Sequence, residues 1–195
     1  MNQKRLILAS TSPRRKEILS SSGLLFEVVP SDYEEDMTLA MEPKNLAKYL
    51  SKRKAETVAN KYPDSVVIGA DTFVEFEGEV LGKPHTKEKA KETLHRLNGR
   101  IHSIITGFTV IDASNAKCIS QAVETKVVFK RSTDKEIDEY IATGEPLDKA
   151  GSYAIQGIGK SLVERIEGDY NNIVGLPLDA LLNVLKGFGV IVPNR

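Results

Sequence analysis

Ser12-Pro13-Arg14-Arg15-Lys16 joins a good helix cap, a residue suited to the first helical position and three consecutive cations. Cations in a first helical turn have the wrong sign for the helix dipole, at a cost of roughly 0.3–1 kcal/mol each. A bound polyanion reverses that cost, because free backbone N–H groups, the hydroxyls of Ser10 and Ser12 and two guanidiniums can converge on phosphate oxygens. Taken alone, the segment reads equally well as a solvated basic face. The next stretch adds the complementary charge. Residues 1–24 carry five cations and one anion, whereas residues 25–51 carry Glu27, Asp32, Glu34, Glu35, Asp36 and Glu42 against Lys44 and Lys48. A cationic helix start followed by clustered carboxylates is what a metal-assisted polyphosphate site needs, since carboxylates hold a hard cation and arginines hold phosphate. By itself the acidic stretch would read as a surface loop.

Four further residues fit the same chemistry. Lys54 interrupts the i, i+4 row Leu46, Leu50, Val58, so it either snorkels past an apolar face or is aimed into a site. Asp71 directly follows the apolar run Val66 to Ala70; placed at the carboxyl end of a buried strand, it would stand where open α/β sheets bind ligands. A carboxylate there must be paired, metal-bound or hydrogen-bonded. Thr72 adds a hydroxyl, and Gly82-Lys83-Pro84 can return a second lysine to the site. Asp71 and Glu35 thus supply metal or base character, with Arg14, Arg15, Lys54 and Lys83 facing phosphate charge.

Two other features carry less. Ala154-Ile155-Gln156-Gly157-Ile158-Gly159-Lys160-Ser161 matches a loose phosphate-binding loop. That loop opens a parallel sheet, and the few residues after Ser161 are too short to supply one. His85, His95 and His102 show no metal-ligand spacing and no nearby nucleophile motif, and read as exposed or structural.

The elements that must position these residues alternate between strand and helix. Strands are expected at Leu6–Ala9, Leu25–Pro30 and Val66–Ala70, with a hairpin from Thr72 to Leu81 around Gly78. Two further β-rich stretches run from His102 to Ile111 and from Lys117 to Lys130. Helices are expected from Pro13 to about Ser22, Asn45 to Tyr62, Thr86 to Asn98, a capping-box start at Thr133 and Glu136 to Gly144, and Pro177 to Lys186, followed by a terminal apolar strand. This is an α/β pattern with a mixed sheet.

The chain has 195 residues, 27 Lys plus Arg against 27 Asp plus Glu, and 41% hydrophobic residues. That composition belongs to an ordinary globular protein and excludes collagen, coiled coil and disorder. With no linker, residues 1–195 read as a single domain. Zero net charge argues against a protein that holds nucleic acid through phosphate contacts. The single cysteine, Cys118, fits a reducing cytoplasm, and no apolar run suits a signal peptide or a membrane span.

Leu8-Ala9-Ser10-Thr11-Ser12-Pro13-Arg14-Arg15 resembles the N-terminal signature of the Maf family of nucleoside triphosphate pyrophosphatases. The likeness continues in order through Lys54-Ala55, Gly69-Ala70-Asp71-Thr72, Leu81-Gly82-Lys83-Pro84, Thr106-Gly107, Tyr140, Thr143-Gly144-Glu145-Pro146, Asp148-Lys149-Ala150-Gly151, Ile155-Gln156-Gly157 and Val174-Gly175-Leu176-Pro177-Leu178. The resemblance implies a house-cleaning hydrolase that splits a triphosphate between the α and β phosphates. It also implies a homodimer, a divalent metal cation (Mg²⁺ or Mn²⁺), and a mixed twisted sheet with flanking helices in two lobes around a cleft, similar to the inosine triphosphate pyrophosphatases. Lys149 to Gly157 is similar to the branch acting on dTTP and UTP, with Ala154 where many members have glycine; a sister branch prefers 7-methyl-GTP. By the same resemblance Asp71 matches the proton acceptor, while Arg14, Thr72 and Gln156 match positions tied to substrate choice. Gln156 could offer donor and acceptor to the O4 and N3–H edge of a pyrimidine. Lys54, Lys83 and Arg15 would neutralise phosphate charge, and Glu35, or Glu34 if the alignment slips by one, would help hold the metal. The family name also derives from septum-formation phenotypes, so an interaction role in cell division is the alternative from another class.

Overall fold

The computed structural model describes residues 4–37 and 39–193. Among these, seven strands form one mixed sheet: β1 (Arg5–Ala9), β2 (Glu27–Val28), β3 (Ser65–Phe76), β4 (Glu79–Leu81), β5 (Ile101–Asp112), β6 (Lys117–Phe129) and β7 (Val163–Glu167). The helices are α1 (Pro13–Ser20), α2 (Pro43–Ala59), α3 (Lys87–Leu97), α4 (Asp134–Ala142), α5 (Tyr170–Val174) and α6 (Leu178–Lys186), with 3-10 turns between Glu145 and Leu162. Strand order is β2-β1-β3-β5-β6-β7, with β4 folded back on β3. Pairing is parallel across β2, β1 and β3 and antiparallel from β3 onward. No helix among the described residues is long and apolar enough to cross a membrane.

Side-chain alternation along β3 sets the layers. Val66, Ile68, Ala70, Val74 and Phe76 join the larger core with Leu19 of α1, Leu94 of α3, Ile137 of α4 and Leu181 of α6. Val67 and Phe73 face the opposite way, onto α2, where Leu46, Leu50, Ala55 and Val58 meet them. Helix α2 sits unusually close to the sheet because two glycines lie beneath it. A Cβ at Gly69 would stand 2.3 Å from the Ser51 carbonyl oxygen, and one at Gly107 would stand 2.1 Å from that of Ala47. Gly107 is the residue directly across the ladder from Asp71. The glycines of the two motifs are thus the sites at which helix backbone rests on strand backbone.

Several expectations hold and several are corrected. Ser12 caps α1 by accepting from the Arg15 amide, Pro13 is the first helical residue, and Thr133 with Glu136 completes the capping box of α4. The hairpin around Gly78 is present, with β4 as its second arm, but its first arm is continuous with the apolar run in one 12-residue strand, so Asp71 lies inside β3 and not at its end. The cause is β5, which pairs with β3 from Val66 to Glu75 without a break and holds Asp71 and Thr72 extended. What ends near Asp71 is β1, whose last register pair is Ala9 with Gly69, and β4 resumes on that edge only at Val74. The edge of β3 from Ala70 to Phe73 is left without a strand, and the site lies at the carboxyl end of β1 instead. The second strand shrinks to Glu27–Val28, because only Ile7 and Leu8 of β1 are in register to pair with it. Among the described residues no strand follows α6, whose end turns through Gly189 (φ +73) so that the Val190 amide reaches the Leu185 carbonyl at 3.3 Å. Strand β7 and helix α5 are absent from the sequence reading; each has five residues, and β7 (Val-Glu-Arg-Ile-Glu) is mostly exposed at the sheet edge.

Gly107→Ala drives a methyl group into the Ala47 carbonyl, and overpacking of this kind costs about 1–3 kcal/mol or more. The substitution is expected to lower the unfolding free energy by that amount, seen as a lower urea midpoint. It is also expected to displace α2 and reduce any activity that depends on Lys54, as a denaturation curve paired with an activity assay will read.

Candidate active site

Asp71 is almost fully buried on the α2 side of β3, and its Oδ1 accepts from the Lys54 ammonium. Lys54 does not snorkel to solvent; its side chain is 10% exposed, and the same ammonium reaches Glu35 on the loop before α2. Burial raises the Asp71 carboxyl above its ordinary range, against the lowering pull of Lys54, and the neighbouring Glu35 charge raises it further. Asp71 Oδ2 is buried with no hydrogen-bond partner. One carboxylate oxygen is therefore fixed and the other is an unused acceptor, which is the disposition of a group waiting for a proton or a cation.

The two carboxylates also decide how a metal could be held. The described residues contain no cluster of three or more His, Cys, Asp or Glu that could cage an ion. A hard cation of the Mg²⁺ type needs only one or two carboxylates when substrate phosphates and water complete its shell. Asp71 Oδ2 and the half-exposed Glu35 fit that mode.

Arg15 is the hub on the other face of the strand. Its Nε donates to the Gly175 carbonyl at 2.9 Å, Nη2 to Thr72 Oγ1 at 3.2 Å and Nη1 to Ser10 Oγ at 3.4 Å. Burial lowers the guanidinium from its ordinary value, opposed by the charges of Asp71 and Glu35. Thr72 continues the chain of hydroxyls to Thr106 Oγ1 at 2.8 Å, which donates to the Asn172 carbonyl at 2.9 Å. Asn172 is fully buried, with its amide nitrogen on Ile104 O and Thr125 Oγ1, each at 3.0 Å. These bonds lash α5, and with it the Gly175 carbonyl, to β5 and β6. Thr106, Asn172 and Gly175 are positioning residues that sequence reasoning passed over as chemistry. Thr106-Gly107 and Val174-Gly175 did stand in the quoted motifs, but their partners lie far away in the chain.

Two cavities meet at Ser12 and Arg15. The larger, about 630 Å³, is lined by Arg14, Thr72, Lys83, Asp148, Lys149 and Tyr153 among others. The smaller, about 170 Å³, carries Ser10, Thr11, Ser31, Tyr33, Glu35 and Lys54. Arg14 and Lys83 therefore both line the larger space, and Glu35 and Lys54 line the smaller one. Lys83 is held there because Gly82 O accepts from the Gly151 amide at 3.2 Å and the His85 amide donates to Leu147 O at 3.2 Å. Glu34 is exposed, and Glu35 is the member of the pair that reaches Lys54. Gln156 is exposed one residue beyond Ile155, outside the residues that line the cleft. The rest of the acidic stretch disperses, with Glu27 on Arg5 and Asp32 on Lys61.

The phosphate-loop look-alike is filled by the protein itself. Glu145 Oε2 accepts from the amides of Ile158 at 2.8 Å and Gly159 at 3.3 Å, and the segment passes into a 3-10 turn and β7, not a helix. His102 is buried, and burial pushes its imidazole down to about 4.

A sequence profile for Maf-like proteins matches residues 5–188. The chain belongs to the Maf family. This Maf chain is 47% identical over 186 residues to a dTTP/UTP pyrophosphatase of Geotalea uraniireducens, covering 95% of itself and 96% of the relative. It is 45% identical over 193 residues to one of Bacillus cereus, covering 99% and 94%, and 48% identical over 183 residues to one of a Thermoanaerobacter species, covering 93% and 95%. Its fold is similar to that of the Staphylococcus aureus Ham1 protein, with a TM-score of 0.50, 12% identity, and coverage of 95% and 100% of the two chains. At that identity the likeness concerns the fold alone.

The raised Asp71 carboxyl gives the Maf chain a signed pH dependence. The folded state holds this proton more tightly than the unfolded state, so Asp71 subtracts stability as pH rises from the ordinary aspartate range to the raised value. In the presence of a chelator, Asp71→Asn is expected to melt at or above the unaltered chain at pH 7. The difference should shrink as pH falls below the ordinary aspartate range; thermal melts at both pH values measure it.

Proposed function

We propose that the protein hydrolyses nucleoside triphosphates, with dTTP and UTP as preferred substrates, to the monophosphate and pyrophosphate. The observation that carries this reading is the half-satisfied Asp71 carboxylate, fixed on Lys54 and next to a cationic cleft, in a chain nearly half identical to relatives named dTTP/UTP pyrophosphatase. In the reaction, a water oxygen bonds to the α-phosphorus, the bridge to the β-phosphate breaks, and pyrophosphate leaves.

Asp71 Oδ2 accepts the proton that the attacking water loses, a role suited to a carboxyl whose affinity for protons burial has raised. Lys54 holds Oδ1, so the free oxygen keeps one direction. Arg15, already oriented by Gly175, Thr72 and Ser10, offers its guanidinium to phosphate oxygens without further ordering, and Arg14 and Lys83 add charge from the cleft walls. Asp71 and Glu35 are the residues that would hold a Mg²⁺ or Mn²⁺ ion, which supplies charge neutralisation on the phosphate oxygens when bound. Gln156 belongs to this reading as a reader of the pyrimidine edge from the rim of the cleft. A homodimer in the cytoplasm, with no nucleic-acid partner, completes it.

Pyrophosphate release is expected from dTTP and UTP in preference to 7-methyl-GTP and dITP, with loss of turnover on chelation. A preference for the methylated purine would move the chain to the sister branch. Asp71→Asn is expected to keep the fold and to lower turnover by about 10²–10⁴-fold, the usual scale for a lost general base. Near-normal turnover would remove Asp71 from the chemistry. Arg15→Lys keeps the charge but loses the planar fork that makes three bonds at once, and is expected to raise KM and lower kcat together.

A further inference from the structure

One buried pair has no part in that chemistry. The His102 ring on β5 lies with Nε2 2.7 Å from the Tyr153 hydroxyl, and its Nδ1 is buried with no partner. His102, Tyr153 and Phe129 pack edge to face, with ring centroids 4.7 to 5.4 Å apart. A phenylalanine at 102 would keep that packing and remove the orphaned nitrogen, so the imidazole is retained at a cost to stability. What the imidazole adds is the bond to Tyr153. Burial holds the ring neutral down to about pH 4, and in either tautomer one hydrogen bond joins the two side chains.

Tyr153 is not merely core. Though only 6% exposed, it lines the larger cleft, where Ile104, Ile155 and Val174 are among the apolar lining residues and Arg14, Arg15, Lys83 and the Asp148–Lys149 pair among the polar ones. The backbone that delivers it is constrained as well, since Gly151 and Ser152 both adopt positive φ, at 66° and 62°, immediately before it. A serine held in that region marks a conformation over-determined by its surroundings. A triphosphate nucleotide brings an anionic tail and a flat, largely apolar base. The tail has cations to meet; the base needs an apolar surface with a fixed ring.

Resting on the nucleotide pyrophosphatase reading, we propose that Tyr153 is the nucleobase-facing wall of the cleft and that His102 is the positioning residue that fixes its ring there. The assignment concerns selectivity, not bond breaking. The Tyr153 ring is anchored from beneath by His102 and flanked by Phe129, so it presents one orientation to whatever base enters.

The test compares the unaltered full-length chain with Tyr153→Phe, His102→Phe and the double variant, measuring pyrophosphate release from dTTP, UTP and dITP. Each single variant is expected to raise KM for dTTP about 5–10-fold with kcat within about 2-fold, and to shrink the dTTP-to-dITP ratio of kcat/KM by a similar factor. The double variant is expected to be no worse than either single one, because both remove the same bond. A merely structural role predicts equal losses on every nucleotide; that result, additive losses, or a change confined to kcat overturns the proposal. Tyr153→Phe keeps ring and packing, so it decides the matter if His102→Phe folds poorly. No pyrophosphate release from any nucleotide by the unaltered chain would remove the functional reading and this inference with it. Release with unmoved selectivity in the variants would overturn the inference alone.

Discussion

A carboxylate in the middle of a central strand has to be matched by something that can reach it, and here the match is Lys54 from a helix on the same face. That pairing constrains much of the rest. The helix that carries Lys54 also lies nearly on the sheet, where the strands beneath it are bare at two points, Gly69 and Gly107. Bringing Glu35 to the same ammonium leaves one positive charge between two negative ones. The excess negative charge is answered through the sheet edge by Arg15, whose guanidinium feels both carboxylates. Removing Lys54 would leave both carboxylates without their shared cation, the costly way to alter a buried ion pair, whereas loss of Asp71 leaves Lys54 paired with Glu35.

β3 also divides the site. Successive residues of a strand point to opposite faces, so Asp71 turns toward α2 and Thr72 toward Arg15 and the larger cleft. A continuous edge would keep the two faces apart. Because β1 stops opposite Gly69 and β4 begins opposite Val74, the edge between them is open, and Ser12 and Arg15 of the β1–α1 junction border both cavities across it. On the proposed reading a nucleotide needs this arrangement: its base requires one environment, its phosphates another, and the bond to be broken lies between them.

How much of this was legible in the sequence depends on the distance over which each fact is encoded. The cap at Ser12, Pro13 and the capping box at Thr133 are set by neighbouring residues, and they were read correctly. Lys54 betrayed itself by breaking an apolar row, and Asp71 by following an apolar run. The placement of Asp71 at a strand end was wrong because strand length is set by the partner: β5 holds β3 extended through Asp71 and Thr72, and nothing in their local sequence says so. Short edge elements such as β7 and α5 gain their stability from tertiary contacts and carry little periodic signal. The Arg15, Thr72, Thr106 and Asn172 relay spans residues 15 to 172, and each member is an unremarkable polar residue until the fold brings them together. His102 has neither metal nor triad spacing, and its partner lies 51 positions away at Tyr153.

The formal net charge of zero changes meaning when charge is placed in space. Averaged over the chain, it argues against any partner held mainly by its negative charge, and for a long polyanion that argument stands. A compact triphosphate is different, because its productive arrangement needs cations on the phosphates and a carboxylate free to take a proton from water at the same place. Arg14, Arg15 and Lys83 line the larger cleft, while Lys54, Glu35 and Asp71 satisfy one another beside it. A surplus of cations alone would bind phosphate but would draw the proton off Asp71 too readily to leave a useful base. Burial corrects this in the opposite direction, lifting the proton affinity of Asp71 despite the lysine on its Oδ1. On the proposed reading, the balance between those two opposing effects gives the carboxylate its capacity to act as a base.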